Sequence, residues 1–176
     1  MISSKGFTLI ELLIATSVIV VGIAGAFMAV QQGIWAIDYC NSRFIAASLA
    51  QEGVEIIKNI RDTNLLQDTT WNDSFSSDGD YEVEYIDSQS LDPSLSRPAC
   101  SPNCDFNDVS LRFLRKIDHG FYDYASPNDT KFKRKINIIT ITPEKLELEI
   151  FVYWRKRGGG YHELVLKQYI YNWLNT

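Results

Sequence analysis

The sequence predicts an α+β fold: one long N-terminal α-helix whose C-terminal half packs on an antiparallel β-sheet head. Three observations predict it. Leu12 to Ile37 contains no charged residue, Ile45 to Ile60 carries an apolar stripe at spacings of three and four, and the remainder alternates short apolar runs with turn residues.

The first element begins behind a short leader, Met1 to Gly6, followed by Phe7 and an apolar run holding a single acid, Glu11. As a helix rising about 1.5 Å per residue, Leu12 to Ile37 would reach about 39 Å, more than a hydrocarbon core of about 30 Å. An ionised acid inside such a segment costs about 2.5 to 3.5 kcal/mol on insertion scales, so Glu11 wants a cation. Lys5 is the only nearby one in the chain, unless cutting after Gly6 frees an α-amino group on Phe7, one helical turn from Glu11.

Lys5-Gly6 before the cut, Phe7 after it, then Thr8-Leu9-Ile10-Glu11-Leu12-Leu13-Ile14-Ala15 resembles the class III signal of type IV prepilins and pseudopilins. The resemblance implies a membrane-embedded peptidase that cleaves between Gly6 and Phe7 and methylates the new N-terminus. It implies further that Glu11 pairs with the amine of a neighbouring subunit during filament assembly. Implied partners are other pilin subunits, the prepilin peptidase and methyltransferase, an inner-membrane assembly platform, and the membrane before assembly. Two plainer readings stand beside it. An ordinary secretory signal could be cut at Ala24-Gly25-Ala26, and a plain membrane anchor has the same hydropathy, but neither accounts for Gly6-Phe7 together with Glu11. The expected organisation is a leader at 1–6, a membrane or filament-core segment at 7–37, and a head at 38–176.

Beyond Gln31-Gln32 the helix is expected to continue to about Ile60. Ile45, Leu49, Gly53, Ile56, Ile57 and Ile60 form its buried stripe, Glu52, Glu55 and Arg61 a solvated face, and Arg61-Asp62-Thr63-Asn64 the exit. Gly22 and Gly25 weaken the earlier part by about 1 kcal/mol each relative to alanine. The run Ala46 to Asp62 resembles the helix exit of minor pilins of the pilus-modification type and, less closely, of minor pseudopilins of type II secretion. No proline precedes Pro93, which departs from many major pilins.

In the head, Trp71 and Phe75 read as lids over the core, and Asp78-Gly79-Asp80 as a turn. Tyr81 to Ile86 alternates as a half-buried strand, and Asp87 to Asp108 reads as an irregular excursion. Further strands are expected at Val109 to Leu114, Ile136 to Thr142, Lys145 to Trp154 and Tyr161 to Tyr171. The last two flank a hairpin loop, Arg155 to Gly160. Leu146, Leu148, Ile150, Val152, Leu164 and Leu166 should face inward.

Cys100-Ser101-Pro102-Asn103-Cys104 could close a disulfide around a Pro-Asn turn in an oxidising compartment or remain two thiols; Cys40 is left over as a small apolar helix residue. The two histidines, His119 and His162, come with no phosphate loop, metal helix or nucleophile elbow, so neither catalysis, a cofactor nor a zinc site is expected. Asp105 to Asp108 and Asp123 to Asp129 lack the full spacing of a calcium loop. The sequons at Asn72 and Asn128 are too short to imply a glycan. The net charge of −5 does not select a nucleic acid. Two basic clusters, Lys131-Phe132-Lys133-Arg134-Lys135 and Arg155-Lys156-Arg157, could contact DNA or an anionic surface; the plainer reading is strand ends kept soluble by charge.

The whole therefore reads as a non-enzymatic minor subunit of a type IV pilus or pilus-like filament, its head outside the cytoplasm. A minor pseudopilin of type II secretion and a DNA- or surface-binding module are the alternatives.

Overall fold

The computed structural model describes residue 6 and residues 8–85, 93–96, 104–116, 122–124 and 129–174. Lys5, Phe7, Cys100, His119 and Asn128 lie outside them. The chain forms two compact units, Met1–Ser42 and Arg43–Thr176. Helix α1, Leu9–Leu66, is continuous in sequence through both.

In the first unit, Thr8 starts the helix: its Oγ1 accepts the Glu11 N–H at 3.3 Å and its carbonyl the Leu12 N–H at 3.2 Å. The apolar side chains that follow, from Leu9 and Ile10 through Val21 to Phe27, are exposed. The two hydroxyls among them bond to their own helix, Thr16 Oγ1 at 3.0 Å and Ser17 Oγ at 2.7 Å from the Leu13 carbonyl. Polar groups in an apolar medium need such partners. Length and composition allow this segment to cross a membrane, with a mean hydropathy of 2.4 and nothing buried over its most apolar stretch. The helix passes through Gly22 and Gly25 without interruption.

In the second unit the helix becomes amphipathic. Ala46, Leu49, Ala50, Val54, Ile56, Ile57 and Ile60 are buried against one face of the sheet. Gly53 lets the two approach: a β-carbon there would lie 3.2 Å from Ile136 Cδ1 and 3.4 Å from Arg134 Cδ. The helix runs past Arg61–Asn64, where the exit was expected, to Leu66. Leu65 still packs against the core. The stop comes from Asp68, in the left-handed region at φ 55°, so that Thr69 N–H reaches the Asn64 carbonyl at 3.0 Å and Asp68 N–H the Leu65 carbonyl at 3.4 Å. This is a Schellman closure made without glycine.

Among the described residues seven strands follow: β1 Gly79–Tyr85, β2 Pro93–Ser96, β3 Phe113–Lys116, β4 Tyr122–Asp123, β5 Asp129–Thr142, β6 Lys145–Arg155 and β7 Tyr161–Tyr171. All pairings are antiparallel. β5 is central, with β6 and then β7 on one side; on the other side β1 pairs with its C-terminal half and β3 with its N-terminal half. The α+β expectation thus holds, and β6 and β7 fall within one residue of their expected bounds.

Four boundaries differ. β1 starts at Gly79, inside the expected Asp78-Gly79-Asp80 turn, because Gly79 and Asp80 pair with Ile138 and Asn137 of β5. Pro93–Ser96, inside the expected excursion, pairs with β1. The strand expected from Val109 starts at Phe113, because Asp108 accepts both the N–H and the hydroxyl of Ser110, at 2.9 and 2.7 Å, and holds a turn there. β5 starts at Asp129 rather than Ile136, because three of the four cations before Ile136 are buried strand residues.

Both sheet faces are covered near the β6–β7 hairpin. Leu146, Leu148, Ile150 and Val152 face α1 and are fully buried, with Leu164 and Leu166 partly buried beside them. Trp71 and Phe75 cap this core edge to face, their rings 6.2 Å apart. On the opposite face, Cys104, Phe106 and Leu111 pack on Tyr153, with Phe113, Phe151 and Tyr161 around them.

Candidate functional site

Glu11 is the sole charged residue between Leu9 and Ile37. It sits in the first turn of α1, exposed, where the positive end of the helix dipole favours a carboxylate but does not neutralise it. No cation among the described residues pairs with it. Gly6 lies just before the Thr8 cap; Phe7, on the other side of the expected cut, is outside the described residues. The arrangement is an exposed apolar helix segment, from Leu9 to Ile37, whose single acid stands at its start. Chemically it offers one acceptor to a cation brought from elsewhere.

The basic clusters separate. Lys133, Arg134 and Lys135, read as soluble strand ends or as an anion contact, are instead all buried and donate inward, with only Arg134 Nε left unpartnered among the described residues. Arg134 points toward α1: Nη1 donates to the Leu49 carbonyl at 3.0 Å and to Glu52 Oε1 at 3.2 Å, Nη2 to the Val83 carbonyl at 2.8 Å. Glu52 is therefore an ion-pair partner, not a member of a purely solvated face, and Arg61 likewise bonds Asp62 at 2.8 Å and the Tyr171 carbonyl at 3.4 Å.

Lys133 and Lys135 point the other way. Lys133 Nζ donates to the carbonyls of Phe106 at 2.9 Å and Asp108 at 2.8 Å, and Lys135 Nζ to that of Cys104 at 3.0 Å. Burial pushes the Lys133 ammonium below its ordinary value, although Asp108 and Asp105 oppose that. The two lysines hold segment 104–108 on the sheet, and Cys104 is disulfide-bonded in the same segment. Cys100, its expected partner, is outside the described residues, and Cys40 is an exposed free thiol.

Arg155, Lys156 and Arg157 are exposed at the β6–β7 tip, closed by Lys156 N–H to the Gly160 carbonyl at 3.0 Å. Gly159 and Gly160 take φ of 96° and 75°, which side chains rarely adopt. His162 is half-buried against Trp154, ring centroids 5.2 Å apart. Among the described residues no group of three or more histidine, cysteine or acidic side chains is placed to hold a metal.

One signal could have exposed the burial of the cations. Ile150 to Trp154 is apolar at every position, not every second one, which marks a strand covered on both faces. Its neighbours in register are Lys135 opposite Phe151, Arg134 opposite Val152 and Lys133 opposite Tyr153. Those cations had to be buried too.

Residues 1–27 match the prokaryotic N-terminal methylation motif. This is the signal typical of type IV prepilins and pseudopilins, and with the helix and antiparallel sheet behind it the chain has a type IV pilin-like architecture. No match was found among curated proteins or among solved structures.

Proposed function

We propose that this chain is a minor structural subunit of a type IV pilus or a pilus-like filament, cleaved between Gly6 and Phe7, N-methylated at Phe7 and held in the membrane by α1 until assembly. The observation that carries the reading is the methylation motif running into an exposed apolar helix segment, Leu9 to Ile37, whose one acid, Glu11, stands in the first turn. A subunit entering from the membrane would bring its Glu11 to a neighbour's Phe7 amine and so fix axial register. The role is architectural, with the peptidase, the assembly platform and other pilin subunits as partners. Cys100 pairs with Cys104 in this reading, which an extracytoplasmic head permits.

Mass spectrometry of the N-terminal peptide, from membranes of a host carrying the cognate peptidase, tests the processing. The expected species starts at N-methylated Phe7; a start at Phe27 would mean ordinary secretion. Glu11→Val should leave the chain inserted and cleaved but poorly incorporated, and normal incorporation would end the pairing role. Co-purification with sheared long filaments is expected, whereas retention in a short periplasmic assembly would reassign the chain to secretion.

A further inference from the structure

The second unit has a direction. Along α1, Leu49 and Glu52 meet Arg134, Gly53 meets Ile136 and Ile150, and Arg61 meets the carbonyl of Tyr171. Along the sheet, the same order runs from the Arg134–Val152 row, through Ile136–Ile150, to the Lys145–Tyr171 row at the opposite end from the β6–β7 tip. The helix therefore enters the unit at the hairpin end of the sheet. Arg155 lies three residues beyond Val152, about 10 Å along the strand, and Arg43 lies six residues before Leu49, about 9 Å along the helix. The tip cations and the entry of the chain share one level.

Arg43 lies six positions beyond Ile37, where the uncharged stretch ends, so chain length alone keeps it within about 22 Å of that stretch. If the stretch is embedded in lipid, this tether keeps the end of the second unit that carries the tip close to the bilayer surface. The tip carries Arg155, Lys156 and Arg157, all exposed and none ion-paired among the described residues, in a chain of net charge −5. The exposed acid nearest in register is Glu163, opposite Tyr153 on the neighbouring strand.

We infer that the β6–β7 tip is a headgroup anchor that binds anionic phospholipid while the chain is still in the membrane. This rests on the membrane-anchored stage of the proposed function. Nucleic acid fits less well: three cations at a tight turn fall short of the roughly 6–10 phosphate contacts of a typical duplex binder, and Lys133, Arg134 and Lys135 are unavailable. Each cation close to an anionic leaflet raises occupancy roughly fivefold, so three give up to about a hundredfold. A weak anchor of this kind would orient the head before assembly and release when the subunit leaves the bilayer.

The test uses the full chain with Cys40→Ser and Gly158→Cys, a fluorophore on the new thiol, in nanodiscs of phosphatidylcholine with or without phosphatidylglycerol. Energy transfer to headgroup-labelled lipid should rise in the anionic discs and fall as salt goes from 0.1 to 1 M, where the screening length shrinks from about 10 to about 3 Å. Replacing Arg155, Lys156 and Arg157 with glutamine should abolish the rise while near-ultraviolet circular dichroism stays unchanged. Equal transfer in neutral and anionic discs, or an unaltered triple variant, would overturn the anchor. Vesicle flotation separates the two failures: a chain that does not float with any vesicle defeats membrane anchoring itself, whereas one that floats with an indifferent tip defeats the anchor alone. Saturable duplex DNA binding, lost in the triple variant and without a lipid response, would also overturn it.

Discussion

Arg134→Ala should be the most damaging single change in the head. The guanidinium is fully buried and ties three acceptors on two elements: the Leu49 carbonyl and Glu52 on α1, and the Val83 carbonyl on β1. Leu49 would keep its helical bond and Glu52, whose side chain is 24% exposed, would rehydrate. Val83 would lose a buried partner, worth about 1 to 3 kcal/mol. The vacated stem beside Gly53 adds about 2 kcal/mol, taking a cavity of roughly 90 Å³ at about 24 cal/mol per Å³. The expected cost is about 3 to 5 kcal/mol. Arg134→Met fills the space and removes the buried charge along with its unpartnered Nε, so only the lost Val83 partner remains and it should cost about 1 to 3 kcal/mol, less than alanine by the cavity contribution. Urea titration of the detergent-solubilised full chain, followed by fluorescence of the buried Trp71 and Trp154, would read both. At a slope of about 2 kcal/mol per M, the alanine variant shifts the midpoint by roughly 2 M and the methionine variant by about 1 M less. An alanine variant within about 1 kcal/mol of the parent would refute the reasoning.

The other predictions are smaller. Asp68→Gly should gain up to about 1 kcal/mol in the same titration, because glycine takes the left-handed conformation without the β-carbon penalty. Lys133→Met should speed amide exchange across residues 104–108, whose Phe106 and Asp108 carbonyls lose their donor, and leave exchange in β6 unchanged. Burial raises the Tyr124 phenol above its ordinary value of 10.0, so the stability this group contributes is complete below pH 10 and lost as pH rises beyond it, when only the unfolded phenol ionises. The slope is at most about 1.4 kcal/mol per pH unit, and Tyr124→Phe should be less sensitive above pH 10 by that amount. Lys133 works in the opposite sense: its lowered value favours the fold as pH rises toward 10.5, so the comparison must be made between parent and Tyr124→Phe at each pH.

Which features could be read from sequence depended on whether one residue carried the signal or a neighbour did. The apolar half of α1 and the lone Glu11 need no context, since an uncharged stretch and a single acid speak for themselves. β7 was legible because the preceding glycines and the alternation that follows are local. The helix end was not, because the terminating residue is an aspartate in a conformation usually left to glycine, while Arg61 to Asn64 are polar and still helical. β2 escaped because a four-residue strand in a polar stretch is defined only by its partner β1.

The cations of β5 show the same dependence and bear on function. Five consecutive residues with four positive charges read as a surface, yet three of the four sit inside the head as struts to α1 and to segment 104–108. Lysine and arginine fit there because their stems match the apolar row of β6 and their donors reach backbone carbonyls that would otherwise be buried unpaired. That assignment divides the positive charge of the head into two populations with different work. The buried group fixes how the helix and the outer segment lie on the sheet, and its loss should show as instability. The exposed group at the β6–β7 tip contributes little to folding, so neutralising it should leave the urea midpoint unmoved and change only what the head touches. A partner-binding defect in Lys133, Arg134 or Lys135 variants would therefore say nothing about an anionic partner unless the fold were first shown intact, whereas the same defect in Arg155, Lys156 and Arg157 variants would speak to the partner directly.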